Sequence, residues 1–390
     1  MKPNKQILSR RLFSQGLLSL GASVPLLSHS AFDLSWLGFN NSSNNRERFL
    51  SAQGRNSEHY GLGWIEPKEA ISKQVLTGFR GHGLCQNPMK PEQVIMFSRR
   101  PGLQGIRINT LTGEQDAVFN SAPDRNMQGH GCFSADGKFL YCVESETSTG
   151  LGKITIRDGE TLMQIGEFES YGIGPHEMAL MPDKTTLVIA NGGLLTHPDS
   201  GRKVLNYSTM RSTLSYVDTR SGELISEHQV PETKASIRHL DVAEDGTVAV
   251  ALQVQRKAMS NEELRPLAAI HKQGQEIKLL QAPEALLVKL NDYMGSVKVH
   301  NPSRTVAFTS PKGNLAMFWH LDNLKLQGYH GFHDVCGLAI SQDNKHFVLS
   351  NSAGKIRQIN AYKLEENIRK RLNFPTKNWD NHMLSVSIPS

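Results

Sequence analysis

Short apolar runs, each introduced by a polar turn, recur along this chain at intervals that suit strands and not helices. The turns Gln86-Asn87-Pro88, Asp136-Gly137, Pro182-Asp183-Lys184, Asp245-Gly246, Asn301-Pro302-Ser303 and Asp343-Asn344 precede the runs QVIMFS, FLYCVE, TLVIAN, VAVALQ, TVAFTS and HFVLSN. Asp, Asn, Gly and Pro reverse a chain tightly, and β-branched and aromatic residues fit a buried pleated surface. In each unit a third strand then ends at a second polar turn, as in NTLTGE (109–114), RDGET (157–161), DTRSGE (218–223) and KQGQE (272–276). A fourth strand closes the unit, as in DAVFN and IGEF. Six such four-stranded units predict propeller blades.

The ends of the chain supply one more. Segment 48–79 holds three strands without an opener, and MLSVSIPS (383–390) is one strand without a blade. Joined, they predict an all-β, seven-bladed β-propeller of four-stranded antiparallel blades, closed by pairing N- and C-terminal strands. Such closure removes the sheet edges that invite aggregation. Helical periodicity is nearly absent; its best stretch, LEENIRKRL (364–372), reads as a short surface helix or as the last outer strand.

The opening strands share a second feature. His82, His130, His176 and His239 stand at the start of four consecutive units, in RGHGLC, MQGHGC, GIGPHE and SIRHLD. In a propeller the start of each inner strand and the end of the next lie at one mouth of the central channel. Arg99, Arg100, Glu144, Asn191, Gln253, Ser310 and Asn351, which follow the second strands, belong to the same mouth, with Arg238 beside His239. Gly129 and Gly131 give the backbone freedom to bend around His130. The loops 192–212, bringing His197, Arg202 and Arg211, and 254–269 are long for a compact repeat and overhang that mouth. His333 and His382 lie near opening strands but out of register with the four, and are not assigned to the group.

A single histidine at a strand end is ordinarily a satisfied polar cap, and propellers use histidine architecturally at blade junctions. Four at matched positions, in a chain with 15 histidines among 390 residues, also fit a functional cluster. Neutral imidazoles with a carboxylate nearby suit a transition metal, iron or copper. The expected metal set is His82, His130, Glu144, His176 and His239; Arg99, Asn191, His197, Arg211 and Arg238 form the expected ligand-binding set, with arginines able to clamp a carboxylate or phosphate. No GxSxG elbow is present and Ser310 has no assigned base. Without a CxxCH sequence, covalent haem is excluded.

Composition, with 38% hydrophobic and 21% charged residues, is that of a globular protein. Ser9-Arg10-Arg11-Leu12-Phe13, a diluted apolar stretch and small residues near 28–31 form a twin-arginine export pattern. The apolar run is shorter than the ~20 residues of a spanning helix, so residues 1–31 read as a signal peptide, 32–47 as a linker and 48–390 as one propeller domain of a periplasmic protein, with no stable transmembrane segment after signal removal. Residues 1–31 hold four of the 43 basic residues and none of the 37 acidic ones, leaving the remainder at +2. The basic balance is therefore a property of the targeting segment, and nucleic acid is not an expected partner. Cys85, Cys132, Cys142 and Cys336 form no CxxC pair; Cys132 and Cys142 can form a disulfide, or all four can serve as buried thiols.

The segments GHGL, FSRRPG, GHGCFSADGKFLYCVE, GIGPHEMALMPD, LVIANGGLLTHPDSGR, SIRHLDV and VAFTSPKG, spread over 48–355, resemble a family of exported bacterial propellers, domain of unknown function 1513. The resemblance implies a twin-arginine-exported protein in the setting of imelysin-type periplasmic iron-uptake proteins, and a part in iron acquisition. Two functional readings follow. One is a metal- or ligand-binding accessory protein; the other is a propeller enzyme, either a metal-dependent lactonase-like hydrolase or an oxidoreductase.

Overall fold

The computed structural model describes residues 45–201 and 203–388, so the export pattern, most of the linker and Arg202 lie outside the described residues. Within them the chain forms seven four-stranded antiparallel sheets in a ring. Blade 1 spans 81–120, blade 2 125–173, blade 3 175–228, blade 4 235–279, blade 5 297–331 and blade 6 335–373. Blade 7 takes its inner strand, Leu384–Ile388, from the C-terminus and its other three, Arg46–Gln53, Gly61–Glu66 and Ile71–Leu76, from the N-terminal side. Its first N-terminal strand starts two residues inside the segment read as linker.

Burial falls from the centre outward, as the sequence pattern requires. The second strands Thr305–Ser310 and His346–Asn351 are buried at every residue, whereas the outer strand Glu114–Asn120 buries only Phe119. Turn chemistry fixes register: Asp183 Oδ1 accepts from the amides of Thr185 and Thr186, both at 2.9 Å, before strand Thr186–Asn191. At the closure Leu384 pairs with Leu50, Val386 with Arg48 and Ile388 with Arg46. Leu50, Val386 and Ile388 pack with Val94, Met96, Ile106 and Ile108 of blade 1. Each such buried aliphatic side chain contributes about 1.5–3 kcal/mol, so the ends of the chain are joined by core packing as well as by ladder hydrogen bonds.

Two local features sharpen the sequence expectation: the helix lies elsewhere, and of the two readings of 364–372 the structure favours the approach to the outer strand. The α-helix is at Glu284–Leu290, between blades 4 and 5, where Leu286 and Leu290 are buried and Trp319 Nε1 donates to Gln281 O at 2.9 Å just before it. The stretch 364–372 instead holds a 3-10 turn at Ile368–Lys370 and enters the outer strand Leu372–Asn373. Seven residues with two inward side chains are too few to give a clear helical period. All four cysteines are free thiols, buried or half-buried.

Candidate metal centre

A regular strand sends successive side chains to opposite faces, so a residue at its start aims inward only if register allows. In blades 1 to 4 the register is broken at each histidine. The pairing of the inner strand shifts between Gly81 and Leu84 around His82, between Met127 and Gly131 around His130, between Pro175 and Glu177 around His176, and between Ile237 and His239. Bulges re-aim side chains in this way. Blade 5 pairs its inner strands without a shift, and blade 6, which likewise gives no histidine to the channel, shifts between Val335 and Leu338.

The flanking glycines have a packing role beyond flexibility. A Cβ on Gly83 would lie 2.6 Å from His130 Nδ1, and one on Gly129, whose φ is 100°, would lie 2.6 Å from His82 Cδ2. The space left by each glycine is filled by the imidazole of the adjoining blade. The four histidines consequently lie within the inner strands, at 2–5% exposure, plugging the channel where an open rim was expected.

A fifth imidazole joins them. His382 precedes the inner strand of blade 7, and its ring lies 4.3 Å from that of His239, 4.7 Å from His82 and 4.9 Å from His130. Five successive blades around the ring, 7 and 1 to 4, thus each supply one histidine. The backbone of His382 is left-handed, with φ 68°, a conformation uncommon for a side-chain-bearing residue. Its neighbours fix it there: Ser51 Oγ donates to His382 O at 2.8 Å, and Asp380 accepts from Arg80 Nε at 2.5 Å and Arg99 Nη1 at 2.7 Å. Arg99 therefore anchors the segment that carries His382. His333, by contrast, bonds Asn314 Oδ1 through Nδ1 at 3.0 Å.

The carboxylate in contact with the rings is Glu177, not Glu144. His239 Nδ1 donates to Glu177 Oε2 at 2.9 Å, and His130 Nδ1 is 3.4 Å from Glu177 Oε1. Glu144 is fully buried inside blade 2, accepting from Thr155 Oγ1 at 3.1 Å and lying 3.4 Å from Arg157 Nη2. Asn191 is likewise buried between blades 2 and 3, its Nδ2 donating to Ser170 O of blade 2 at 2.8 Å and to Ser215 Oγ of blade 3 at 3.0 Å. His197 caps a 3-10 turn, accepting from Asp199 N through Nδ1. Arg211 is exposed and pairs with Glu227. Of the residues expected to bind a ligand, Arg238 meets a ring directly, its Nη2 being 3.2 Å from His176 Nδ1. Ser310 Oγ donates to Tyr293 O at 2.6 Å, so this hydroxyl is not a poised nucleophile.

Burial, reinforced by neighbouring charge, holds His82, His176 and His382 well below the ordinary imidazole value, and brings His239 down to about 4 despite Glu177. Burial alone would raise Glu177, but the facing His130 and His239 hold it well below the usual carboxylate range. His82, His176, His239 and His382 are thus neutral imidazoles near one carboxylate. His82 Nδ1, His130 Nε2 and His382 Nε2 are buried without a hydrogen-bond partner among the described residues. Three sets, His82–His130–His176, His82–His239–His382 and His130–Glu177–His239, place their donor atoms within 4.8 Å of one another and can hold a metal ion.

Fold and site together define a seven-bladed propeller with an imidazole-filled channel. The chain belongs to the family described as Protein of unknown function (DUF1513), whose sequence model matches residues 75–386. Among solved structures it is similar to Kuenenia stuttgartiensis Hydrazine Synthase, with a TM-score of 0.61 and 12% identity over 77% of this chain and 89% of that one, a likeness of fold. No curated protein matches the sequence. No helix among the described residues is long and apolar enough to cross a membrane.

Proposed function

We propose that this protein is an exported metal-binding propeller, acting in the periplasm as an accessory to iron acquisition, with a transition metal, iron or copper, bound among the channel histidines. The observation that carries the reading is that three of the four buried imidazole nitrogens without a partner among the described residues converge in the channel, His346 Nδ1 in blade 6 being the fourth. A buried polar group left unsatisfied costs about 1–3 kcal/mol, and three such groups together need a compensating role. An ion with vacant acceptor orbitals supplies that compensation, and imidazole suits iron, copper, zinc and nickel.

Glu177 supports the same reading. By taking up the Nδ1 side of His130 and His239 it turns their Nε2 atoms toward the group, the arrangement in which a carboxylate orients and strengthens an imidazole ligand. The twin-arginine pattern and the family resemblance support export and the iron-uptake setting, with imelysin-type proteins as candidate partners.

The test is metal content of tag-free protein purified from its natural compartment and then dialysed against cupric or ferrous ion. Wild-type protein should hold one ion per chain, and the His82→Ala/His130→Ala pair none, with circular dichroism unchanged. Glu177→Gln should weaken binding about 10–100-fold. Equal metal content in wild type and the double variant would overturn the reading.

A further inference from the structure

The five rings are arranged with more order than a cluster requires. His82, His130 and His239 form a triangle with centroid separations of 4.8, 5.3 and 5.9 Å. His382 lies 4.7, 4.9 and 4.3 Å from those three in turn, and His176 lies 5.5, 5.0 and 4.6 Å from them. His176 and His382 are not in ring contact with each other, so they sit on opposite sides of the triangle. The imidazoles outline a trigonal bipyramid, and at every vertex of the triangle His382 is the nearer apex.

The two apices also differ in chemistry. An arginine side chain has only donors, so the contact from Arg238 Nη2 to His176 Nδ1 makes Nδ1 the acceptor and leaves the hydrogen of the neutral ring on Nε2. The lone pair of His176 is therefore already taken. At the other apex His382 Nδ1 meets Ser296 Oγ at 2.9 Å while its Nε2 is buried without a partner. In the triangle His82 Nδ1 and His130 Nε2 are also unpartnered, and His239 gives its Nδ1 hydrogen to Glu177.

We propose that the centre is a four-imidazole site in which His130 joins the set His82–His239–His382, whose donor atoms already lie within 4.8 Å of one another, and that Arg238 holds the fifth imidazole, His176, out of coordination. This rests on the metal-binding reading above. With His176 held by Arg238, these four imidazoles would leave the His176 side of an ion without a protein ligand, and Arg238 would set how firmly the ion is retained and how readily it exchanges. An accessory protein that passes a metal on needs such an open side.

The experiment compares single variants loaded with cupric ion, using equilibrium dialysis for affinity and X-ray absorption for the number of nitrogen ligands. His176→Ala, with His176→Gln as a second variant in case of misfolding, should bind within about threefold of wild type, while His82→Ala and His382→Ala should each lose about 100-fold or more. Arg238→Met should bind about tenfold tighter and gain one nitrogen ligand. A loss in His176→Ala equal to that in His82→Ala, or an Arg238→Met centre unchanged in affinity and ligand number, would overturn this assignment while leaving the metal site standing. Wild-type protein that takes up no cupric ion would remove both.

Discussion

Two groups of histidines in this molecule are each in ring contact and buried or half-buried, yet differently resolved. Between blades 3 and 4, His271 and His228 stack with ring centres 4.0 Å apart, and His271 is only 1% exposed. Both nitrogens of His271 are occupied: Nδ1 meets Tyr216 Oη at 2.6 Å and Nε2 meets Gln275 O at 2.9 Å. His228 Nε2 meets Ser226 Oγ at 3.1 Å. In the channel, His82, His130 and His382 each leave a buried nitrogen without a partner. Burial and ring contact are common to the two groups, so neither separates architecture from function. Hydrogen-bond accounting does, because a fold that has no use for a polar atom ordinarily satisfies it.

Acid is the broadest test of that contrast. His82, His176, His239 and His382 have imidazoles depressed mainly by burial, as does His271, whose value falls to about 4. A group depressed in the fold binds fewer protons there than in the unfolded chain between about pH 6.5 and its folded value. Its stabilisation is full above about 6.5 and is lost progressively as pH falls toward 4, by at most about 1.4 kcal/mol per group per pH unit. Metal-free protein should therefore lose stability steeply between pH 6.5 and 4.5 in urea titrations. An ion bound by the channel rings should raise stability throughout that range by its binding free energy, leaving the slope unchanged until the rings themselves take up protons. Acid stability unaffected by metal would mean that both groups are architectural.

Much of this architecture was legible in the chain, and the exceptions have physical causes. Six turn-and-strand units and the joined ends were readable because each second strand follows a turn whose residues allow few alternatives, as Asp136-Gly137 and Asp245-Gly246 show. His82, His130, His176 and His239 stood out through their common position. His382 occupies the equivalent place in blade 7, but that blade borrows its inner strand from the far end of the chain, so register counted from the N-terminal strands missed it. Glu177 was hidden by alternation: next to His176 it should face the opposite way, and only the bulge between Pro175 and Glu177 brings both to the rings. Glu144 was chosen for its place after a second strand, yet its side chain turns into blade 2 toward Thr155. Position along a strand selects an end of the channel; register decides which side chains enter it.

Removing one histidine from the satisfied group should be costly in stability and silent in metal binding. His271→Leu leaves the buried Tyr216 hydroxyl without its 2.6 Å partner, at a cost of about 1–3 kcal/mol, with cupric-ion affinity unchanged. Tyr216→Phe combined with it should cost less than His271→Leu alone, since both ends of the bond are then apolar. Thermal denaturation of the two variants measures the difference, and a change in metal affinity in either would join the two groups that the structure separates.

The smallest effect expected is also the one with an unusual sign. His82 is 2% exposed, carries an unpartnered buried Nδ1, and touches no carboxylate that would be orphaned by its loss. Replacing it with leucine removes a desolvated polar atom and keeps most of the volume that fills the space beside Gly129. In the metal-free protein His82→Leu should therefore be neutral or stabilising by up to about 1 kcal/mol, even as it abolishes tight metal binding. Most core substitutions destabilise, so a gain here would identify His82 as a residue retained at the expense of the apo fold. The measurement is a pair of urea midpoints at pH 7.5, taken with chelator and with cupric ion. Wild type should gain stability from the ion and His82→Leu should not; a His82→Leu protein that is less stable than wild type under chelation would show that the ring is a packing element of the channel.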